Sequence, residues 1–416
     1  MDANLTPGLD ENISSSTARQ AAFVSATPSA PAEKPPYPPP ASLPTQEGPF
    51  GIRFDFNLGA RVTIPDGKSW RILLRDLDTG NVLFESNPGA TFVNSTKRYY
   101  LRFGVDVSDG ESIIFQHEYD ARGQEVLVQF PIGTLGDIMG WFPYAVKFQE
   151  KHGCRLTCAM SELLIPLFSD AYPHIRFVTH EGVRAETFYA SYCIGLFFDD
   201  EDRFWQPCDF RLVGLHRTSG YILGVDPTEV PPRLSLADEG PPIAQPYVCI
   251  AVQSSTQAKY WNNPFGWVEV VRYLKDKGYE VVCIDQKSVH GGGLFWNHIP
   301  HGVRDETGDR PLVERVRWLR HAKAFIGLSS GLSWLAWAAE VPVVMISGFT
   351  HPTNEFFTPH RVINYHACNS CWNDVRNRFD HKDFLWCPRH AGTTRQFECT
   401  RLITGGQVVA MLEQLV

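Results

Sequence analysis

The sequence predicts an α/β protein in which two strand–helix domains follow a smaller β-rich domain. Strand-like and helix-like segments alternate from about residue 125 onward, and this alternation is typical of parallel sheets covered by helices. An irregular, proline-rich stretch at 205–245 interrupts the alternation and suits a crossover between two such domains. The segment before residue 122 contains short strands separated by turn formers, which favours an all-β unit.

The first 48 residues are rich in Pro, Ala and Ser, as in PSAPAEKPPYPPPASLP. A segment of this composition cannot bury enough apolar surface to offset the entropy lost on folding. We therefore expect residues 1–48 to form a disordered arm, and the sequence assigns it no function.

Residues 49–122 contain five strand-like runs, RVTIP, SWRILLRD, NVLFES, RYYLRFGVDV and ESIIFQHEY. The turn formers PDGK, DTG, NPG and SDG separate them. The pattern predicts a small antiparallel sheet or partial barrel. Two interpretations remain open, a module that only adds stability and a surface that grips a partner or an extended peptide.

Two α/β lobes are expected at 123–240 and 241–366. In the first, the strand EVLVQ leads into a helix, DIMGWFPYAVKFQEKHG, whose Trp141, Ala145 and Phe148 share one face. The strand RLTCAM, the helix SELLIPLFSDAY and the strand HIRFVTH follow. The second lobe repeats the alternation through PYVCIAVQSS, GWVEVVRYLKDKG, YEVVCID, LVERVRWLRHA, KAFIGL, GLSWLAWAAE and VPVVMISG. Doubly wound domains of this kind place ligands at the carboxyl ends of their strands.

Composition excludes several classes of protein. The chain has 416 residues, 43% hydrophobic residues and a formal net charge of −8, so a general attraction to nucleic acid or to an anionic membrane is not expected. No apolar run approaches the roughly 20 residues that span a bilayer. The N-terminus lacks the basic start and apolar core of a signal peptide. We expect a soluble, cytoplasmic protein without membrane insertion.

The first candidate for chemistry is PIGTLGDIMGWFPY at 131–144. Gly133 and Gly136 bracket a strand-to-helix turn whose backbone amides can approach a ligand closely. Asp137 lies at or near the helix N-cap, where it either caps the helix or acts as a general base for a hydroxyl nucleophile. A helix N-terminus favours the ionised carboxylate, which predicts an available but weak base.

Two further turns are suited to a diphosphate. One strand ends in hydroxyl and amide side chains ahead of a lysine, and another ends in serines directly before a helix. The first is equally compatible with an ordinary polar loop and the second with a capped strand–helix turn, but two such turns in one lobe favour a bound diphosphate. The residues concerned are Gln253, Ser254, Ser255, Thr256 and Lys259 in the first turn, and Ser329, Ser330 and Gly331 in the second.

Four of the ten cysteines form the most specific pattern, C-x2-C-x15-C-x11-C, within residues 367–416. Four thiolates so spaced can complete a tetrahedral metal site, and closed sites of this type are structural. The spacing does not separate zinc from iron. The ligands would be Cys368, Cys371, Cys387 and Cys399, whereas Cys154, Cys158, Cys193, Cys208, Cys249 and Cys283 are scattered, and most of them read as small core residues.

Taken together, these segments resemble the bacterial autotransporter heptosyltransferase family over residues 49–416. The matching stretches are PIGTLGDIMGWFPYA, QSSTQAKYWNNP, GLSSGLSWLAWAAEVPVVMISGFTHPTNEF and INYHACNSCWND, with Cys387 and Cys399. The cleft region has a looser likeness to lipopolysaccharide heptosyltransferases, which lack the cysteine finger.

The resemblance implies a two-lobed GT-B glycosyltransferase fold with two Rossmann-like lobes, an added N-terminal β-rich domain and a C-terminal four-cysteine metal finger. It implies transfer of heptose from ADP-heptose to serine or threonine hydroxyls of an autotransporter passenger protein, one structural Fe³⁺ per subunit with Zn²⁺ as the alternative, and a dodecamer. A lipopolysaccharide heptosyltransferase and a non-catalytic nucleotide-sugar-binding scaffold remain the alternatives.

The resemblance also implies roles for individual residues. Asp137 matches the family's base and Lys259 the residue that faces the donor phosphates. Further donor-binding residues are expected at Thr134, Leu135, Gly136, Gln253, Ser255, Thr256, Asp285, Ser330, Gly331 and Leu332.

Overall fold

The computed structural model describes residues 37–132, 134–234, 236–237 and 239–416. The predictions made for residues 1–36 of the arm and for Gly133 lie outside the described residues.

The strands of the described chain are short and are labelled in chain order. They are β1 Gln46–Glu47, β2 Arg53–Asn57, β3 Arg61–Thr63, β4 Arg71–Asp76, β5 Val82–Glu85, β6 Phe92–Asn94, β7 Phe103–Ser108, β8 Ile113–Glu118, β9 Glu125–Gln129, β10 Arg155–Ala159, β11 Arg176–Val178, β12 Ala190–Cys193, β13 Tyr247–Ile250, β14 Glu280–Cys283, β15 Val289–Gly292, β16 Phe295–His298, β17 Arg304–Asp305, β18 Phe325–Leu328, β19 Val343–Ile346 and β20 Arg361–Val362.

The α-helices of the described chain follow most of the predicted segments. They are α1 Leu135–His152, α2 Ile165–Phe168, α3 Phe210–Val213, α4 Leu215–Ile222, α5 Gly266–Asp276, α6 Leu312–Arg320, α7 Gly331–Ala338, α8 Glu398–Arg401 and α9 Gly405–Leu412. The predicted face of α1 is confirmed, because Trp141, Ala145 and Phe148 are all buried.

The first lobe is built on a mixed sheet in the order β11-β10-β9-β12-β2-β3-β6, with β1 paired to β2. The pairings along β10-β9-β12-β2 are parallel. The pairings along β2-β3-β6 are antiparallel. The sequence analysis did not identify β12, although this strand is wholly buried and lies beside β9. The first lobe and the β-rich segment therefore share one continuous sheet.

The rest of the β-rich segment forms a separate antiparallel sheet in the order β5-β4-β7-β8. The sequence analysis predicted such a sheet but not the division of the segment between two sheets. The division places β2 directly against the strands of the first lobe.

The second lobe contains a six-stranded sheet in the order β17-β14-β13-β18-β19-β20, with every pairing parallel. Strands β13, β18 and β19 are completely buried, as expected of a sheet covered on both faces. Together the two α/β lobes form a GT-B-like fold, in agreement with the predicted class.

The structure corrects three predictions of local structure. The stretch at 205–245 was expected to be irregular, yet it contains α3 and α4. Residues 37–48 were expected to be disordered, yet Thr45 donates a hydrogen bond of 2.7 Å from its hydroxyl to the Phe188 carbonyl, and the Ala41 carbonyl accepts one from Arg61. This stretch is ordered because buried polar groups of the first sheet bind its backbone. The helix predicted for SELLIPLFSDAY is limited to α2, since Pro166 has no amide N–H to extend the helix from upstream.

A hairpin of β15 and β16 carries an apolar tip, in which Leu294 is 96% exposed and Trp296 63% exposed. Within the described chain, no helix is both long enough and apolar enough to cross a membrane.

Candidate active site

Asp137 is the third residue of α1, and Thr134 occupies the N-cap position. Asp137 is therefore not the N-cap residue, and the Thr134 side chain makes no capping hydrogen bond to the helix backbone. The carboxylate still lies in the first turn, where the partial positive charge of the helix N-terminus favours an anion.

The surroundings of Asp137 make it a stronger base than the sequence indicated. Burial raises the pKa of the Asp137 carboxyl, while a hydrogen bond with Thr134 and the charge of Lys259 act in the opposite direction. The burial effect is the larger one. The expectation of a weak base considered only the helix N-terminus, and the loss of hydration outweighs it.

Lys259 ends a 3-10 turn, Gln257–Lys259, that follows β13. Burial lowers the pKa of its ammonium group, and the negative charges of Asp137 and Glu355 raise it. Asp137 and Lys259 thus act on each other electrostatically, although they come from different lobes. The Lys259 ammonium lies 5.7 Å from the ring centres of both Phe349 and Trp372, a distance suited to cation–π attraction.

The N-termini of α1 and α7 converge on the same place. A Cβ atom added to Gly136 would lie 2.8 Å from Trp334 Cδ1 and 3.2 Å from the Cα atom of Gly331, so neither helix can approach the other with a larger side chain here. Ser330 precedes α7, and its buried hydroxyl has no hydrogen-bond partner among the described residues. Two predicted segments of different lobes are in this way brought together at the N-termini of their helices, where first-turn amides are available to an anion.

Leu135 and Leu332 are half-buried in the first turns of these two helices, whereas Thr134 is exposed. The six predicted donor residues from the two helix starts therefore lie around one junction. Their contact with a donor stays a prediction.

The predicted donor residues of the β13 loop divide into two groups. Ser255 is exposed, and Gln253 is half-buried with its amide donating to the Lys287 carbonyl. Thr256 is buried and donates through its hydroxyl to the Phe384 carbonyl at 2.9 Å. The Thr256 hydroxyl therefore ties the loop after β13 to the C-terminal segment.

Asp285 is buried, and its carboxylate accepts a hydrogen bond of 2.6 Å from the Val252 amide. Burial raises the pKa of this carboxyl to about 6. Asp285 therefore fixes the end of β13, directly before the loop that carries Lys259.

Glu355 is a candidate site residue that was not predicted from the sequence. Its buried carboxylate accepts hydrogen bonds from the hydroxyls of Ser329 and Thr350 and from Arg361 at 2.8 Å. It joins the turn before α7 to the loop after β19 and faces Lys259 electrostatically. The only signal in the sequence was an acidic residue inside the matching stretch GFTHPTNEF.

The predicted four-cysteine finger is not confirmed: the cysteines of the C-terminal segment influence one another electrostatically, but the described residues do not bring the four thiols together as one group of close ligand atoms. Burial, and to a smaller extent the neighbouring cysteine sulfurs, raise the pKa of the Cys371 and Cys399 thiols to about 12. Cys368 also forms a group with His390 and Glu398 whose ligand atoms lie within 4.8 Å of one another. Glu398 is already bound by Arg395 at 2.7 Å and by the Cys368 amide at 3.0 Å.

The cysteine segment packs directly behind Lys259. The Phe384 carbonyl accepts hydrogen bonds from the Thr256 hydroxyl and the Gln257 amide, both 2.9 Å long. Asn262, whose amide also donates to the Gln257 carbonyl of the same turn, donates to the Thr400 hydroxyl at 2.8 Å. A shared apolar cluster contains Ala258, Phe349, Cys371, Trp372, Phe379 and Trp386.

Two surface cavities, of about 410 and 380 Å³, lie away from this junction. Both include Phe357, and none of the predicted donor residues lines either of them. The junction of the two helix N-termini, rather than these cavities, collects the groups capable of chemistry.

Comparison with known proteins relates this chain to two described families. Residues 48–111 match the family described as glycosyltransferase TibC, N-terminal domain, and residues 223–378 match glycosyltransferase family 9 (heptosyltransferase). The autotransporter heptosyltransferase BAHTCr of Citrobacter rodentium is 54% identical over 90% of this chain and 92% of its own length.

A crystal structure of dodecameric iron-containing heptosyltransferase TibC in complex with ADP-D-beta-D-heptose superposes with a TM-score of 0.87. It is 52% identical, over 90% of this chain and 98% of that chain. BimC of Burkholderia thailandensis, described as an inactive autotransporter heptosyltransferase, is 50% identical over 89% of this chain and 87% of its own length. With identities of this size over nearly the full length of each relative, the chain belongs to the autotransporter heptosyltransferase family.

Proposed function

We propose that this protein is an active O-heptosyltransferase that moves heptose from ADP-heptose to serine or threonine hydroxyls of an autotransporter passenger protein. One observation carries the proposal: an acidic and a basic side chain from different lobes, Asp137 and Lys259, influence each other at the junction of two helix N-termini. This junction offers both a proton acceptor and a site for a diphosphate.

The reaction is a single displacement. The acceptor oxygen forms a bond to the anomeric carbon of heptose as the bond from that carbon to the phosphate oxygen breaks, and ADP leaves. Asp137 takes the proton of the acceptor hydroxyl. Lys259, the Ser330 hydroxyl and the amides near Gly331 stabilise the negative charge that develops on the departing diphosphate. We assign the acceptor side to the lobe at 123–240 and the donor side to the lobe at 241–366.

The relative described as inactive makes a non-catalytic scaffold the main competing function. A scaffold needs donor contacts but has no use for a carboxylate with a raised pKa. Asp137 is present here, and burial strengthens it as a base, which favours an enzyme. A lipid-linked sugar acceptor is the second alternative, and the matches to relatives named for autotransporters favour the protein acceptor.

We further propose that the four cysteines hold one structural iron ion. Their spacing supports a closed thiolate site, the neighbouring sulfurs influence one another in the fold, and the related TibC structure is described as iron-containing. Fe³⁺ is the favoured state and Zn²⁺ the alternative. The mixed group of Cys368, His390 and Glu398 is the weaker candidate, because Arg395 already neutralises Glu398.

A dodecamer is the proposed assembly, since the related TibC structure is dodecameric. The exposed apolar tip of the β15–β16 hairpin supports an interface, because a monomer in water gains nothing from an exposed Leu294 and Trp296. A cytoplasmic location, where a nucleotide-sugar donor is made, is part of the same proposal.

The test is the mass of an autotransporter passenger fragment after incubation with ADP-heptose. The wild-type protein should add heptosyl groups to hydroxyl side chains, and Asp137→Asn should add none within the same time. A lipopolysaccharide acceptor in a parallel reaction separates the lipid alternative. An unmodified fragment with wild-type protein that binds ADP-heptose would identify a scaffold instead.

A further inference from the structure

The end of the proline-rich arm lies on the acceptor side of the site. Tyr37 donates a hydrogen bond of 2.7 Å from its hydroxyl to the carbonyl of Ile194, the residue that follows β12. The Pro38 carbonyl accepts a bond of 3.3 Å from Gln129, the last residue of β9. The arm therefore crosses the carboxyl ends of two neighbouring parallel strands.

This edge is also where α1 begins. The chain leaves β9 at Gln129 and enters α1 at Leu135, two residues before Asp137. Because the carboxyl ends of parallel strands meet at one edge of a sheet, the segment that crosses them lies beside the start of α1. The pKa of the Tyr37 phenol is raised mainly by burial, then by Cys193, and also by the negative charge of Asp137.

The fit of Tyr37 depends on a glycine. A Cβ atom added to Gly195 would lie 2.6 Å from the Tyr37 hydroxyl oxygen and 3.3 Å from Phe197 Cζ, at the tip of that ring. The Tyr37 hydroxyl thus packs against the backbone of Gly195 and donates to the Ile194 carbonyl, so the ring is held in one position.

We propose that Tyr37 forms the acceptor-side wall of the active site, where it orients the incoming serine or threonine segment and limits the access of water to Asp137. This inference rests on the proposed role of Asp137 as base. Water that reached Asp137 would replace the acceptor. Its oxygen would bond to the anomeric carbon, its proton would pass to Asp137, and ADP would leave with free heptose as the second product.

The experiment compares variants of the full chain in three measurements: the acceptor KM, the release of ADP without acceptor, and the Kd of ADP-heptose. Tyr37→Ala should raise the acceptor KM about tenfold, the scale of losing an anchoring tyrosine at an interface. It should also increase ADP release without acceptor and leave the donor Kd within about twofold of wild type. Thr45→Val, which removes another hydrogen bond of the same arm, should change none of the three.

Gly195→Ala provides a second test if Tyr37→Ala does not fold. The new methyl group displaces the Tyr37 ring, so this variant should also raise the acceptor KM and increase ADP release without acceptor. Combining Gly195→Ala with Tyr37→Phe removes the oxygen that the methyl group would touch, so this pair should recover toward wild type.

Two results would overturn the inference. Wild-type acceptor KM and ADP release in both Tyr37→Ala and Gly195→Ala would do so, and so would a failure of Tyr37→Phe to relieve Gly195→Ala. Failure of the proposed function is recognised separately, as a wild-type protein that modifies no acceptor at all.

Discussion

The two charged groups at the centre of the site are supported in different ways. Asp137 lies on α1, a helix of 18 residues whose inner face is buried in the core of the first lobe. Lys259 ends a turn of three residues that depends on the cysteine segment, through the Phe384 carbonyl, the Thr400 hydroxyl and the ring of Trp372. Local structure thus fixes the base, whereas distant parts of the chain fix the cation.

This difference implies a division of work. Changes at Asp137 should affect the chemical step and leave the donor in place. Changes at Lys259, or in the cysteine segment behind it, should affect donor binding first. Each prediction below either separates the two effects or shows that they cannot be separated.

Asp137→Asn has the largest expected effect. The substitution removes the proton acceptor with almost no change in volume, so the transfer rate should fall by roughly 10²- to 10⁴-fold, the worth of a general base. ADP-heptose should bind as tightly as before or more tightly, because a negative charge near the diphosphate is lost. Steady-state kinetics and donor titration measure both quantities, and residual activity above about a tenth of wild type would contradict the role.

Lys259→Ala should weaken ADP-heptose binding by about 10- to 100-fold, the scale of a lost hydrogen bond to a charged group. Turnover should also slow, since the leaving diphosphate loses its countercharge. Lys277→Ala is the matched control, because that lysine lies 5.6 Å from the Tyr273 ring at an exposed position. If Lys259→Ala and the control bind the donor equally well, Lys259 does not face the phosphates.

Cys371→Ser should lose the metal and loosen the cysteine segment, because metal binding and folding are coupled at such sites. Its effect on donor affinity should not exceed that of Lys259→Ala, since it acts through that residue. In the double variant the two losses should therefore not add. Cys208→Ser, outside the proposed ligand set, should keep one metal per chain by elemental analysis.

A Cys371→Ser protein that keeps its metal and binds the donor normally would contradict the proposed finger and its link to Lys259. A red wild-type protein would indicate ferric iron and a colourless one zinc. Additive losses in the double variant would show that the finger acts elsewhere.

Trp372→Leu should have a smaller effect, about two- to fivefold on donor affinity, because it removes one cation–π contact and keeps an apolar side chain. The metal content should be unchanged. Unaltered donor binding would mean that the hydrogen bonds accepted by the Phe384 carbonyl and the Thr400 hydroxyl are enough to hold the turn.

The pH range in which the protein transfers heptose should be limited on both its acid and its alkaline side. The proposed reaction requires an ionised Asp137, whose pKa is raised by burial, so activity should be lost as pH falls through that raised value. It also requires a protonated Lys259, whose pKa is lowered by burial, so activity is lost again as pH rises through that lowered value. Lys259→Arg should remove the alkaline limb, because arginine stays protonated. An unchanged alkaline limb in an active Lys259→Arg protein would assign that limb to another group.

The same contrast explains what the sequence can and cannot predict. Most strands and helices of both lobes follow from local patterns, and α1 with Asp137 is predicted because hydrophobic periodicity and a turn lie within 20 residues. Strand β12 was missed since its buried run has no alternation to separate it from a loop or a helix. The prediction of a helix along all of SELLIPLFSDAY was wrong, because hydrophobic periodicity alone does not show where Pro166 limits a helix.

Long-range contacts are what sequence reasoning lacks. Glu355 binds Ser329, and Lys259 contacts the ring of Trp372. Both contacts join residues that are far apart in the chain. Likewise, composition alone could not show that Tyr37 and Thr45 bind the first sheet, because these bonds involve carbonyls of residues 188 and 194.

Calorimetric titration of ADP-heptose into wild type, Asp137→Asn and Lys259→Ala tests the central claim most directly. The division of work predicts that Asp137→Asn binds the donor at least as tightly as wild type although it no longer transfers heptose, and that Lys259→Ala binds it about 10- to 100-fold more weakly. Equal weakening in both variants, or none in Lys259→Ala, would contradict the claim that the first lobe supplies the base and the second lobe holds the donor.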